Sequence, residues 1–324
     1  MTTRREFVSW CSRVVAMSGS LPRDLLAQTS AITPLVPGPE VDRFKIAQRQ
    51  LLVRYGVSAR SRYVKLGKPA LTAHVLEAGR GEPVLFLHGG IGTACHFAPL
   101  IGLLQQEFRV FAADRPGCGL TDKINYRGVQ LREHAVDFIA GVMDGLQLPT
   151  ARIVANSLGG YWALLFALTH PQRVTKLVLI GEPAGSAPTQ PQPPLEPASD
   201  SLENMRAIYQ LRVSNGDRLS NELLEEGLAS ARIPGVSLAW ATWREQDKGQ
   251  LRTFNLRSEL KRLSPATLLA WGDKDYNGSP ALGQEMAAMA PHAHCEVVPD
   301  AGHWAWIDRP DLCASLTAEF LKRA

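Results

Sequence analysis

The feature that most constrains this chain is a rhythm. Short apolar, partly β-branched runs at PVLFLHGG (83–90), FRVFAAD (108–114), RIVA (152–155), VTKLVLIGE (174–182), PATLLAWGDKD (265–275) and HCEVVPDAGH (294–303) alternate with stretches of helical spacing at 131–146, 158–168, 280–290 and 309–323. Short apolar runs bounded by turn residues read as buried strands, and the longer Ala- and Leu-rich stretches as helices. The alternation predicts an α/β fold: a mainly parallel sheet covered on both faces, with its chemistry at the carboxyl ends of the strands. Polar residues stand at those ends: His88, Asp114, Ser157, Glu182, Asp275 and His303.

Two more β-like runs, SRYVKL (61–66) and LTAHVLEAG (71–79), are close enough to form an antiparallel edge. PEVDRFKIAQRQLLVRYG (39–56) predicts a leading helix with a glycine stop. The rhythm breaks at GSAPTQPQPPLEPASD (185–200), where five prolines fall between 188 and 197. Helical patterns at 200–213 and 220–230 and the Trp-rich LAWATWRE (238–245) follow before the strands return. So long an interruption is an inserted unit, not a loop. The chain therefore divides into a leader over 1–31, a helical extension over 32–60, a core over 61–185, an insertion over 186–262 and the rest of the core over 263–324.

The leader carries paired Arg4 and Arg5 before Phe7 and Val8, like a twin-arginine export signal, and LLAQTSA (25–31) offers small residues for cleavage. Arg13 interrupts the apolar stretch between them, so export and retention in the cytoplasm both stay open. A net charge of +4 without any dense basic run gives no footprint for nucleic acid. No segment reaches the length of a membrane span. The five cysteines are too irregularly spaced for a disulfide framework or a zinc site, and Cys118 reads as a small filler in a tight loop. GGIG and GCG lack the strand–GxGxxG–helix context of a dinucleotide site, so no cofactor is implied.

The run ARIVANSLGGYWALLFALTHP (151–171) places Ser157 where a strand gives way to a helix. An acyl-transfer nucleophile needs a hydroxyl held out of the helix, a base beside it, and donors for the developing oxyanion. LHGGIG (87–92) supplies flexible backbone N–H groups after a strand, WGDKD (271–275) two acids after a later strand, and GHW (302–304) a histidine after the last. In that order these motifs resemble the α/β-hydrolase fold superfamily in its serine-nucleophile branch, over about residues 60–324. Ala155 stands where G-x-S-x-G has its first glycine, a departure of one methyl.

The resemblance implies Ser157 as nucleophile, His303 as base, and Asp275 as the acid, with Asp273 and Glu182 as competing acids. It implies backbone N–H donors at Gly90 and Leu158, His88 as a loop support, Asp114 and Arg115 as fixers of loop geometry, and the insertion as a helical cap. His96, Phe97, Trp240, Trp243 and Trp304 are expected to line the pocket, with Leu238 in the apolar side of the cap. No metal is implied. The expected activity is hydrolysis of a carboxylic ester through an acyl-enzyme. NSLGG, HGG and GHW also look like the meta-cleavage-product hydrolases, which cut a carbon–carbon bond beside a ketone, although HGGIGTA lacks that group's extra Gly-Pro run. A cofactor-free haloperoxidase-like perhydrolase and a slow-turnover ligand receptor are the other readings. The partner is a small ester or ketone; oligomeric state stays open.

Overall fold

The computed structural model describes residues 32–90, 92–185, 201–250 and 255–323; the leader at 1–31 and the proline-rich run at 186–200 lie outside the described residues. Its strands are β1 (Ile32–Thr33), β2 (Ala59–Lys65), β3 (Thr72–Gly79), β4 (Glu82–Leu87), β5 (Phe108–Ala113), β6 (Lys123–Ile124), β7 (Ala151–Asn156), β8 (Val174–Ile180), β9 (Ala266–Gly272) and β10 (Ala293–Val298). Its α-helices are α1 (Pro39–Arg54), α2 (Ala98–Leu104), α3 (Leu131–Gly145), α4 (Ser157–Thr169), α5 (Leu202–Gln210), α6 (Asn221–Arg232), α7 (Val236–Gln250), α8 (Pro280–Met289), α9 (Ala305–Asp308) and α10 (Pro310–Lys322).

Eight strands form one sheet in the order β2-β3-β5-β4-β7-β8-β9-β10. The β2–β3 and β3–β5 pairs are antiparallel, and every pair from β5 onward is parallel. Parallel strands are covered on both faces, which is why Val84, Leu85, Phe86, Leu87, Ile153, Val154 and Ala155 are all fully buried. Register brings the carboxyl ends level: Leu87 pairs with Ala155, Asn156 with Ile180, Ile180 with Ala270, and Gly272 with Val298. Residues just past those positions therefore meet on one rim.

Helices α5, α6 and α7 leave the sheet after β8 and return to it at β9. Ser201 and Ser220 cap α5 and α6, their side chains accepting from the N–H groups of Asn204 and Leu223. These helices meet the rim loops. The helical pattern expected to reach residue 213 stops at Gln210, where the Arg212 carbonyl turns to accept the Trp304 N–H at 2.8 Å. The β1–β6 ribbon was not expected from the sequence. Asp122 holds it, accepting from the N–H groups of Leu35 at 2.8 Å and Thr72 at 2.7 Å. No helix among the described residues is long and apolar enough to cross a membrane.

Candidate active site

At the end of β7 the chain turns into α4 through Ser157, whose φ of +50° lies in the left-handed region. A residue with a β-carbon is strained there by roughly 1–2 kcal/mol. Neighbours hold the strain in place. Asn156 Nδ2 donates to the carbonyls of Ile180 at 2.8 Å and His303 at 3.4 Å, tying the serine's turn to the histidine's loop. A β-carbon on Gly89 would stand 3.1 Å from that of Ser157, so the turn after β4 runs directly against the serine. Ala155 is buried in β7 opposite Leu87 and Leu179, and its methyl is accommodated.

Beyond β9 and β10, His303 Nδ1 lies 3.0 Å from both carboxylate oxygens of Asp275. Both residues are buried, and Asn277 donates its N–H to Asp275 Oδ1 at 2.8 Å. The backbone of Gly181, at φ +59°, passes so close that a β-carbon there would sit 2.6 Å from Asp275 Oδ2 and 3.0 Å from His303 Nδ1. Only glycine fits. The Tyr276 ring lies 4.8 Å from that of His303, and burial pushes its hydroxyl up to about 12. Glu182, at the end of β8, is buried as well. Desolvation, aided by the charge on Asp275, raises its carboxyl to about 8 against the pull of the Gly185 and Ala184 N–H groups. Asp273 is exposed and accepts the Ala301 N–H at 3.1 Å.

The third part is the turn at 88–90. Arg115 Nε donates to the His88 carbonyl at 3.0 Å, and its Nη2 to the carbonyls of Gly89 at 2.8 Å and Gly90 at 2.7 Å. The Arg115 N–H donates to His88 Nε2 at 2.9 Å, so the His88 proton is on Nδ1, which donates to the Gly89 carbonyl at 2.9 Å. Burial, with Arg115 close by, lowers His88 to about 3 and keeps it neutral. A trans peptide carries its C=O and N–H on opposite sides. Pinning the Gly89 carbonyl therefore turns the Gly90 N–H away from the guanidinium. Asp114 fixes the segment beyond by accepting the Ala94 N–H at 2.7 Å.

A model of the alpha/beta hydrolase family matches residues 84–316. The chain belongs to the alpha/beta hydrolase family. It is similar to a 2-hydroxy-6-oxo-6-phenylhexa-2,4-dienoate hydrolase of Burkholderia cepacia, 29% identical over 82% of this chain and 97% of the relative. It is 30% identical to a 2-hydroxymuconate semialdehyde hydrolase of Pseudomonas putida, over 80% of this chain and 95% of that one. Among solved structures, a meta-cleavage product hydrolase from Pseudomonas fluorescens superposes with a TM-score of 0.72 at 25% identity, covering 80% of this chain and 97% of the other. A carboxylesterase from Bacillus subtilis shares the fold, with a TM-score of 0.67 at 21% identity over 87% and 98% of the two chains. This chain is thus an enzyme, a hydrolase.

In this hydrolase the expected pocket residues divide. Trp304 is nearly buried in an aromatic wall, 4.7 Å from the Tyr209 ring and 5.3 Å from that of His96. Phe97 is fully buried and packs 5.2 Å from Phe86 and 4.8 Å from Trp306. Trp240 and Trp243 meet edge to face at 5.5 Å and line a cleft over Arg115, Pro116, Gly117, Cys118 and Tyr126, which includes neither Ser157 nor His303. Its free space of about 10 Å³ has room for one water at most. His96 is spent on a residue of the inserted helix α6 that sequence reasoning missed, Glu226, at 2.8 Å. The signal was there: in NELLEEGLASAR, Glu226 falls on the buried face with Leu223, Gly227 and Ser230.

Proposed function

We propose that this hydrolase cleaves carboxylic esters through an acyl-enzyme on Ser157. Ser157 Oγ attacks the ester carbonyl carbon as His303 takes its proton. Asp275 holds the imidazole by its Nδ1–H and stabilises the imidazolium. The carbonyl oxygen becomes an oxyanion that accepts from the N–H groups of Gly90 and Leu158. Collapse breaks the ester C–O bond, and His303 returns the proton to the departing alkoxide. Water then attacks the acyl carbon by the same proton path and frees the acid. The inserted helices act as the cap over this site.

The observation that carries the reading is the two-oxygen contact of Asp275 on His303 Nδ1, joined through the Asn156 bond to the His303 carbonyl with a serine turn at φ +50°. An alkoxide leaves on one protonation, and the residues assembled here supply that proton. A second reading, hydrolysis of a carbon–carbon bond beside a ketone, draws on the names of the relatives and on Arg212. That buried guanidinium lies 5.9 Å from the Trp304 ring centre and suits the carboxylate of a dienoate.

Fluorophosphonate labelling, then turnover of p-nitrophenyl esters of graded chain length beside a 2-hydroxy-6-oxo-dienoate, tests both. Sustained ester turnover with a labelled Ser157 supports the first reading. Turnover confined to the dienoate replaces it with the second, and labelling with a single turnover marks a receptor.

A further inference from the structure

Between the inserted helices and the turn after β4 lies a buried cluster that the steps above do not use. Glu226, on α6, is excluded from solvent. Its Oε1 accepts from Thr93 Oγ1 at 2.6 Å and Cys95 Sγ at 3.1 Å, and its Oε2 faces His96 Nε2 at 2.8 Å. All three partners come from residues 93–96, a segment that begins three positions after Gly90. The core grips that segment too: the Ala94 N–H donates to Asp114 Oδ1 at 2.7 Å and Trp306 Nε1 to the His96 carbonyl at 2.8 Å. A β-carbon at Gly92 would lie 3.2 Å from His96 Nδ1 and 3.4 Å from His88 Nδ1. Gly90 therefore falls in the chain between two held imidazoles, His88 bound by Arg115 from the core and His96 by Glu226 from the inserted helices.

Apolar contacts would join cap and core as firmly, since a buried carboxylate is costly to desolvate. Directional hydrogen bonds add a fixed position. We infer that Glu226 is a positioning residue: through Thr93 and His96 it sets the far end of the turn that carries the Gly90 N–H, so that the cap takes part in stabilising the oxyanion. The inference rests on the ester-hydrolase reading above. A donor shifted by a fraction of an ångström loses contact with the transition state while ground-state binding persists.

The test uses the full chain with Glu226→Gln and Glu226→Ala, active sites counted by the p-nitrophenolate burst. Three quantities are read: kcat per counted site, KM, and Ki for an alkylboronic acid, whose tetrahedral adduct on the serine mimics the oxyanion. Glu226→Gln keeps the shape and an acceptor for His96, and should lose about tenfold in kcat; Glu226→Ala should approach the roughly hundredfold loss of a missing oxyanion donor. KM should stay within about twofold while Ki rises in step with the fall in kcat. A role confined to stability would lower the number of active sites and leave all three quantities unchanged, which overturns the inference, as does a rise in KM alone. If Glu226→Ala does not fold, Glu226→Gln decides. A parent enzyme that turns over no ester and resists the boronate overturns the ester reading, and this inference with it.

Discussion

Among the described residues a histidine–aspartate pair accompanies a serine in two places, the proposed rim set at the carboxyl ends of the parallel strands and an edge set on β2–β3. In the edge set, His74 Nδ1 lies 2.8 Å from Asp114 Oδ2 and His74 Nε2 lies 2.8 Å from Ser61 Oγ. In the rim set the histidine–acid contacts are longer, at 3.0 Å. By distance alone the edge set is the better-formed relay. What it lacks is the setting. Ser61 sits in extended β2, with its neighbours committed to the β3 ladder, whereas Ser157 sits in a left-handed turn at the start of a helix, against the 88–90 turn. Burial alone would raise the Asp114 carboxyl, but the hydrogen bond from His74 and the N–H of Ala94 hold it well below the usual carboxylate range. Asp114 also accepts from Leu120, so it braces two loops. A chain of hydrogen bonds makes a structural strut. Catalysis needs the strained presentation and the oxyanion donors as well.

The comparison breaks most decisively at the rim serine. Ser157→Ala should lower kcat on an activated ester by roughly 10⁶, by analogy with a measured protease triad. Residual fluorophosphonate labelling of that variant at Ser61 would make the edge set a second nucleophile. The two aspartates come next. Asp275→Asn should cost roughly 10⁴ in kcat with a near-normal melting curve, because the wrong imidazole tautomer is favoured. Asp114→Asn should do the reverse, losing about 2–4 kcal/mol in denaturant titration while kcat per active site stays within about tenfold. An exchange of these outcomes would exchange the roles.

Glu182 sharpens the contrast because it lies beside the rim acid. Its carboxyl is raised from 4.5 to about 8, so at pH 4 folded and unfolded states both carry the proton. Between about 4.5 and 8 the native state alone retains it, and stability falls as pH rises through that window. Glu182→Gln should remove that slope: melting temperatures match the parent near pH 4, and the variant is the more stable at pH 8. Its kcat should stay within about tenfold, whereas a collapse would move the triad acid from Asp275 to Glu182. The smallest effect belongs to Ser61→Ala, for which kcat within about twofold and a stability loss of about 1 kcal/mol are expected, since the buried His74 Nε2 loses its hydrogen-bond partner.

Local pattern made the strands, the rim residues and the leading helix legible, because period and turn chemistry are written within a few residues. The pairing of Asp275 with His303 was reachable only through the resemblance, because chain order left Asp273, Asp275 and Glu182 all open as the acid. The Glu226 cluster was not: its partners lie about 130 residues away, and an acid on a helix's buried face does not say which histidine it meets. The packing of Phe97 against Phe86 and Trp306 was not legible either, because an aromatic beyond the turn after β4 suits a pocket or a core equally well. The β1–β6 ribbon, two residues on each side, is too short to leave a period at all.

Helix α1 lies outside the stretch matched by the family model, yet it packs along α6, with Arg54 facing Glu222 at 3.3 Å. The same α6 is gripped on its inner side by Thr93, Cys95 and His96. A lever clamped at two points does not pivot there, so under the proposed cap role α6 would work as a fixed sieve. Selection by acyl length should then appear as a sharp cut-off in kcat/KM, not a gradual slope, and loosening α1 should blur the mesh without touching the chemistry beneath it.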